Sequence, residues 1–221
     1  MKKVILSVVT VFCLWASPSF AQFEVLQDVG NPGAPLRANP YREVKGSAYL
    51  EDFEPGFIVY TQKDTLKNIP IRFNAYGNML EYQNKGTAFG LSAKEILGFV
   101  LFSNGRPQYF SHGYDLPNLG KDIFVQVLVD GKYTLLNYRY KVLVDDPSAA
   151  YGSQRAKMFQ YKNDYFIASE RGVFPFRTKK KQLAEIFGED ADQIAKFESN
   201  SAYDFKNETD IIRLIRQLNA L

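Results

Sequence analysis

Apolar and polar positions alternate with period two through most of this chain and switch to helical period only near its end. The strongest signal is DIFVQVLVDGKYTLLNYRYKVLV (122–144), two β-rich runs joined at Asp130-Gly131. NIPIRFNAYGNMLEYQ (68–83) reads as a second hairpin. Ile69, Ile71, Phe73 and Ala75 fall on one face, and Arg72, Asn74 and Tyr76 on the other. Gly77-Asn78 fits a two-residue type II′ turn. Pro70 has no N–H to give a ladder, so the strand is expected to start or lie at a sheet edge there. GFIVYTQ (56–62), TAFGLS, EILGFVLF with its Asn104-Gly105 turn, and PQYFSHGY add further strands. KMFQYKNDYFIASERGVFPFR extends the series, with turns expected near Asn163-Asp164 and Arg171-Gly172. The total is roughly eight to eleven short strands, with no intervening helix long enough for βαβ crossovers.

The period changes at TKKKQLAEIFG, where Leu183, Ile186 and Phe187 share one stripe and Gly188 is a natural C′ residue. DADQIAKFES offers Asp190 as N-cap with Gln193 three residues on. NETDIIRLIRQLNAL offers Asn207 as N-cap and sets Ile211, Leu214, Ile215 and Leu218 on one face. The fold class expected is therefore mainly β: an antiparallel curved sheet, sandwich or half-barrel with two to three short C-terminal helices packed on it. The boundaries expected are a leader over 1–21, a loosely ordered strap over 22–45, the β domain over 46–178 and the helical segment over 179–221.

The leader follows from charge and composition. Lys2 and Lys3 precede an apolar run from Val4 to Ala16, and SPSFAQ places Ser19 and Ala21 at −3 and −1 of a small-residue cleavage site. The run is too short to span a bilayer, and Pro18 ends it. Cys13, the only cysteine, and Trp15, the only tryptophan, leave with such a leader, so no disulfide or thiolate chemistry is expected in the working chain. Phe12 before Cys13 argues against a lipidation site. An exported, cysteine-free chain suits a bacterial periplasm or cell surface. The formal charge of +3 includes two leader lysines, which leaves near neutrality and no electrostatic case for nucleic acid. The 14 Tyr and 18 Phe favour strands around a large core. The helical ending LNAL counts against an integral membrane barrel, which normally closes on an aromatic-terminated strand.

Candidate chemistry is sparse. His112, the only histidine, lies beside Tyr114 and Asp115 in FSHGYD, which would be the makings of an oriented base. Adjacent Ser111 and His112 would face opposite sides of a strand, and no G-x-S-x-G elbow accompanies them. Glu189, Asp190 and Asp192 lack calcium-loop spacing and suit a first helical turn, so no metal is expected. No phosphate loop or dinucleotide fingerprint implies a cofactor. Arg177, Lys179, Lys180 and Lys181 form a basic knot that could meet anionic head groups or a partner protein. In NYRYK (137–141), Arg139 and Lys141 share one strand face and the tyrosines the other.

The motifs GSAYL, FIVYT, NIPIRFNAYGNMLEY and KKKQLAEIFGEDADQIAKF…DIIRLIRQLNAL resemble those of a group of uncharacterised exported β-rich envelope proteins of Gram-negative bacteria. The resemblance covers most of 46–221 and implies a β-rich envelope domain with a helical tail, and no activity. The expected function is a non-enzymatic binding or interaction module, its partner an envelope protein. The alternatives are carriage of a small apolar or lipid-like ligand in the curved sheet and, last, hydrolysis centred on His112.

Overall fold

The alternation resolves into ten strands hydrogen-bonded as one open antiparallel sheet in a computed structural model that describes residues 41, 43–148, 156–177, 180–199 and 204–220. In chain order they are β1 (Glu54–Val59), β2 (Thr65–Asn74), β3 (Met79–Asn84), β4 (Thr87–Leu91), β5 (Gly98–Ser103), β6 (Arg106–Ser111), β7 (Val125–Val129), β8 (Thr134–Asp145), β9 (Lys157–Ser169) and β10 (Gly172–Pro175). The sheet order is β10-β9-β8-β7-β6-β5-β1-β2-β3-β4. Two meanders, β1–β4 and β5–β10, are joined where β1 pairs with β5. The expected leader and most of the expected strap lie outside the described residues. Among those described, no helix is long and apolar enough to cross a membrane.

One face of β1–β6 closes on an apolar core. Phe73, Phe99, Phe110 and Phe124 are fully buried there with Ile58, Ile69, Ile71 and Leu80. This is the face expected for Ile69, Ile71, Phe73 and Ala75. Registry carries the same face across the sheet, because Phe110 sits opposite Gln126, Gln126 opposite Asn137, and Asn137 opposite Tyr165. Beyond Asn137, three helices cover this face: α1 (Lys180–Phe187), α2 (Ala191–Ser199) and α3 (Glu208–Asn219). The expected stripes make the contact, with Leu183, Ile186, Phe187, Ile211, Leu214, Ile215 and Leu218 packed over Leu135 and Ile167. The opposite face of β7–β9 is covered by the 112–124 loop through Leu116, which meets Val125, Leu136 and Phe166.

Residues 43–53, the end of the expected strap together with the first residues of the expected β domain and called the strap below, lie across the curled sheet, which stays open. Lys45 pairs with the stretch of β9 that β10 leaves free, its N–H reaching the Lys157 carbonyl at 3.0 Å. A few residues on, Tyr49 bridges Asn74 at the end of β2. Lys141 N–H of β8 donates directly to the carbonyl of Ala75, the residue after β2, at 3.1 Å, so β8 meets the end of a strand distant from it in sheet order. Arg72 and Glu81, opposite each other on the outer face of β2–β3, anchor the strap. The Arg72 guanidinium lies 3.6 Å over the Tyr49 ring and 4.2 Å over Phe53, and it pairs with the Glu81 carboxylate at 2.7 Å.

Several local expectations need correction. Gly77-Asn78 is the second half of a four-residue connection between Asn74 and Met79, and Asn78, not Gly77, takes the left-handed conformation with φ +47°. Its side chain then exchanges two hydrogen bonds with the Phe124 backbone, which outweighs the tighter turn. Asp130-Gly131 belongs to a longer loop that ends in Tyr133, whose backbone N–H and carbonyl are both held by the Asn219 side chain of α3. No turn forms at Asn163-Asp164. β9 runs straight through, with Asn163 opposite Arg139 and Asp164 opposite Tyr138, because every residue of β8 pairs with it. Pro70 lies inside β2, one place beyond the last β2–β3 pair, so its missing N–H costs that ladder nothing. Asn104-Gly105 turns as expected, with both φ angles positive.

The Tyr49 phenol gives the fold an alkaline limit. Burial first, and then the neighbouring Glu81 charge, push its pKa up to about 12 from 10.0. Between these values the unfolded chain releases the proton and the folded chain keeps it, so raising the pH favours unfolding. The stability is whole below about pH 10 and is lost towards pH 12. Urea midpoints measured from pH 9 to 11.5 should therefore fall more steeply for the native chain than for Tyr49→Phe. Parallel curves would rule the phenol out as a source.

Candidate functional site

His112 follows directly on β6. Its Nε2 lies 3.0 Å from the Ile96 carbonyl, and its ring stands edge-on to Phe124 with centroids 5.6 Å apart. It braces the β4–β5 connection against the core. The Ser111 hydroxyl faces the carbonyls of Leu97 and His112. Tyr114 packs into the 112–124 loop, its phenol pKa raised chiefly by burial, and Asp115 is exposed. Among the described residues no hydrogen bond or ion pair joins His112 to Tyr114 or Asp115, so the three do not form an oriented base. In the basic knot, Arg177 is exposed and its Nη1 donates to the Phe176 carbonyl. Lys180 and Lys181 open α1, and Lys179 lies outside the described residues.

A cleft of about 390 Å³ opens where the α1–α2 junction meets the β7–β8 and β9–β10 turns, lined by Lys132, Tyr133, Arg171, Gly188, Glu189 and Asp190 among others. Lys132, Tyr133, Arg171 and Asp190 are held by partners within the protein. Asp190 Oδ2 accepts from Lys132 Nζ at 2.6 Å and from the Tyr133 hydroxyl at 2.7 Å, which holds this carboxyl below its ordinary range. Asp190 precedes α2 as expected, but this carboxylate oxygen serves the β7–β8 turn. Arg171 Nη1 donates to the Ala184 and Glu185 carbonyls near the end of α1. Gly188 is left-handed there, and a Cβ on it would stand 2.5 Å from that guanidinium. The cleft is a joint between the helices and the sheet.

The unusual chemistry lies in a polar seam on the core-facing side, between the phenylalanine core and the helices. Gln108, Gln126, Asn137 and Tyr165 come from four consecutive strands on this face, and Arg139 and Tyr161 lie two and four residues along from them. Arg139 Nη1 donates to Gln108 Oε1 at 2.7 Å and reaches Gln126 Oε1 at 3.5 Å, and its Nε donates to the Tyr161 hydroxyl at 3.1 Å. Asn137, 2% exposed, donates Nδ2 to Glu208 Oε2 at 2.8 Å, where the Tyr165 hydroxyl also donates at 3.0 Å. Burial, with Glu208 beside it, pushes the Tyr165 phenol far above its ordinary range, so it stays protonated at neutral pH and cannot serve as a base. Asn137 Oδ1 is buried with no hydrogen-bond partner. A buried amide oxygen seldom goes unpaired, and where it does a bound water or ligand group is the usual partner.

The signal for this seam was present in LLNYRYK. Leu135, Asn137, Arg139 and Lys141 share one face, and a run of three polar residues there breaks a strand otherwise rich in apolar side chains. The register that sets Gln108 and Gln126 beside them was not.

Compared with protein-family models, with curated proteins and with solved structures, the chain matches none. The functional reading rests on the geometry.

Proposed function

We propose that this chain is a non-enzymatic binding module of the bacterial envelope, exported by its leader, and that it holds its ligand at the polar seam. The observation that carries this reading is Asn137 Oδ1, a buried acceptor left open in a row of amides, a guanidinium and phenols. The seam pairs no nucleophile with a base, which favours binding over turnover. Apolar cargo inside the curl has less support, because Phe73, Phe99, Phe110 and Phe124 occupy that space at 0% exposure.

Native mass spectrometry on protein exported and gently purified from its own envelope tests the reading. The expected spectrum carries additional mass that is lost on denaturation and is reduced in Gln108→Ala, a substitution at the half-exposed rim of the seam. A bare chain in both proteins overturns it.

A further inference from the structure

Arg139 is half-buried, yet its hydrogen-bond partners are all neutral: two glutamine oxygens and one phenol. Among the described residues no carboxylate comes within ion-pair distance of it. Among the described residues the other half-buried arginine, Arg72, has Glu81. Removing a cation from water without a counter-charge is unfavourable, and proteins normally pair such groups.

We infer that the ligand of the seam carries an oxyanion, a carboxylate or a phosphate, and that Arg139 is its counter-charge. The inference rests on reading the seam as a binding site. A guanidinium can only donate, so Gln108 and Gln126 must turn their oxygens towards Nη1. Their Nε2 donors then face away from the arginine. The Tyr161 hydroxyl accepts from Nε, which leaves its own proton free to be given. Arg139 Nη2 takes part in none of these bonds. The seam thus offers N–H and O–H donors around a fixed positive charge, the array that recognises planar or tetrahedral oxyanions. Tyr161, 46% exposed, and exposed Asn163 leave the approach open to solvent. Two charged groups on this face flank the array. Lys141 Nζ is held by the Ser47 and Tyr49 carbonyls, and the Glu208 carboxylate is held by Asn137 and Tyr165. Glu208 opposes an anion near Asn137, which places the oxyanion at the Gln108–Tyr161 side of Arg139 and leaves the open Asn137 Oδ1 acceptor to a hydroxyl or N–H donor of the same ligand.

The test uses the exported chain without its leader, titrated with inorganic phosphate or with citrate against sodium chloride of equal ionic strength. Binding is read from the side-chain amide resonances of Gln108 and Gln126. At least one anion should shift both resonances saturably, and Arg139→Gln should weaken that binding tenfold or more. Arg139→Lys, which keeps the charge and loses the fork, should fall between. The phosphate and citrate arms separate the two anion classes. Matching urea midpoints for the variants guard against a folding artefact, and Gln108→Leu supplies a second variant at the rim. Equal binding by the native chain and Arg139→Gln, or no saturable shift with either anion, overturns the oxyanion. If native mass spectrometry then finds an envelope species retained by both proteins, the seam stands as a site for a neutral ligand. If it finds none, both readings fail together.

Discussion

Phe99→Ala should lower the free energy of unfolding by about 3–5 kcal/mol, the range for truncating a fully buried aromatic. Phe99 is 0% exposed at the centre of the curl. Its ring stacks on Phe110 with centroids 4.8 Å apart and planes inclined by 8°, and it meets Phe73 at 5.2 Å and Phe124 at 5.1 Å. These rings come from β2, β5, β6 and the stretch entering β7, so one side chain joins the two meanders. The backbone there has little room to collapse into a cavity. At the neighbouring Gly98, even a Cβ would stand 2.3 Å from the Phe110 carbonyl oxygen. The cavity therefore stays open, and the expected loss sits at the upper end of the range. Phe57→Ala is the control. Phe57 is half-buried on the outer face against Phe102, and its truncation should cost less than half as much. Urea unfolding with an unchanged m value reads both. A loss under about 1 kcal/mol for Phe99→Ala would mean that the aromatic cluster does not organise the fold.

The same residues show why some of this architecture can be read from sequence and some cannot. Period two places Ile69, Ile71 and Phe73 on one face without any knowledge of the partner strand, and the helical stripes from Leu183 to Leu218 follow from period alone. Such patterns report which side is buried. They do not report what lies across the sheet. Asn163 and Asp164 have good turn chemistry, but every residue of β8 pairs with β9, and a continuous ladder outweighs a local turn preference. Gly77 could have made a tight turn, but Asn78 gains two hydrogen bonds to a backbone 46 residues away. The seam shows the same limit. Arg139 stands out only as one of three polar residues on a strand face, and Gln108 and Gln126 are unremarked polar positions until the register of β6, β7 and β8 brings them together. His112 illustrates the opposite error, since a conspicuous residue type acquires its role from the Ile96 carbonyl it reaches and not from its sequence neighbours.

Glu81→Ala should destabilise the protein by about 3–5 kcal/mol, because it leaves a guanidinium in a partly buried pocket without its carboxylate. Glu81 is 2% exposed, and its Oε2 takes both Arg72 Nε at 2.8 Å and Nη2 at 2.7 Å. Oε1 lies 3.4 Å from Asn74 Nδ2. Without the carboxylate, Arg72 remains between the rings of Tyr49 and Phe53 and must draw water into the site or leave it. Either outcome loosens the strap. Limited proteolysis should then cut within residues 43–53 in the variant at protease levels that spare the native chain. Replacing the pair by Arg72→Met with Glu81→Leu should recover most of the loss, since an apolar pair of similar volume avoids stranding one charge. The effect should also travel. The strap carbonyls of Ser47 and Tyr49 hold Lys141, two residues from Arg139 on the same face of β8. A loosened strap therefore frees one wall of the seam, and anion binding at Arg139 should weaken in Glu81→Ala and return in the double variant. A strap that stays protease-resistant in Glu81→Ala, with binding unchanged, would show that the ion pair is an ornament of the outer face and that Lys141 keeps its place without it.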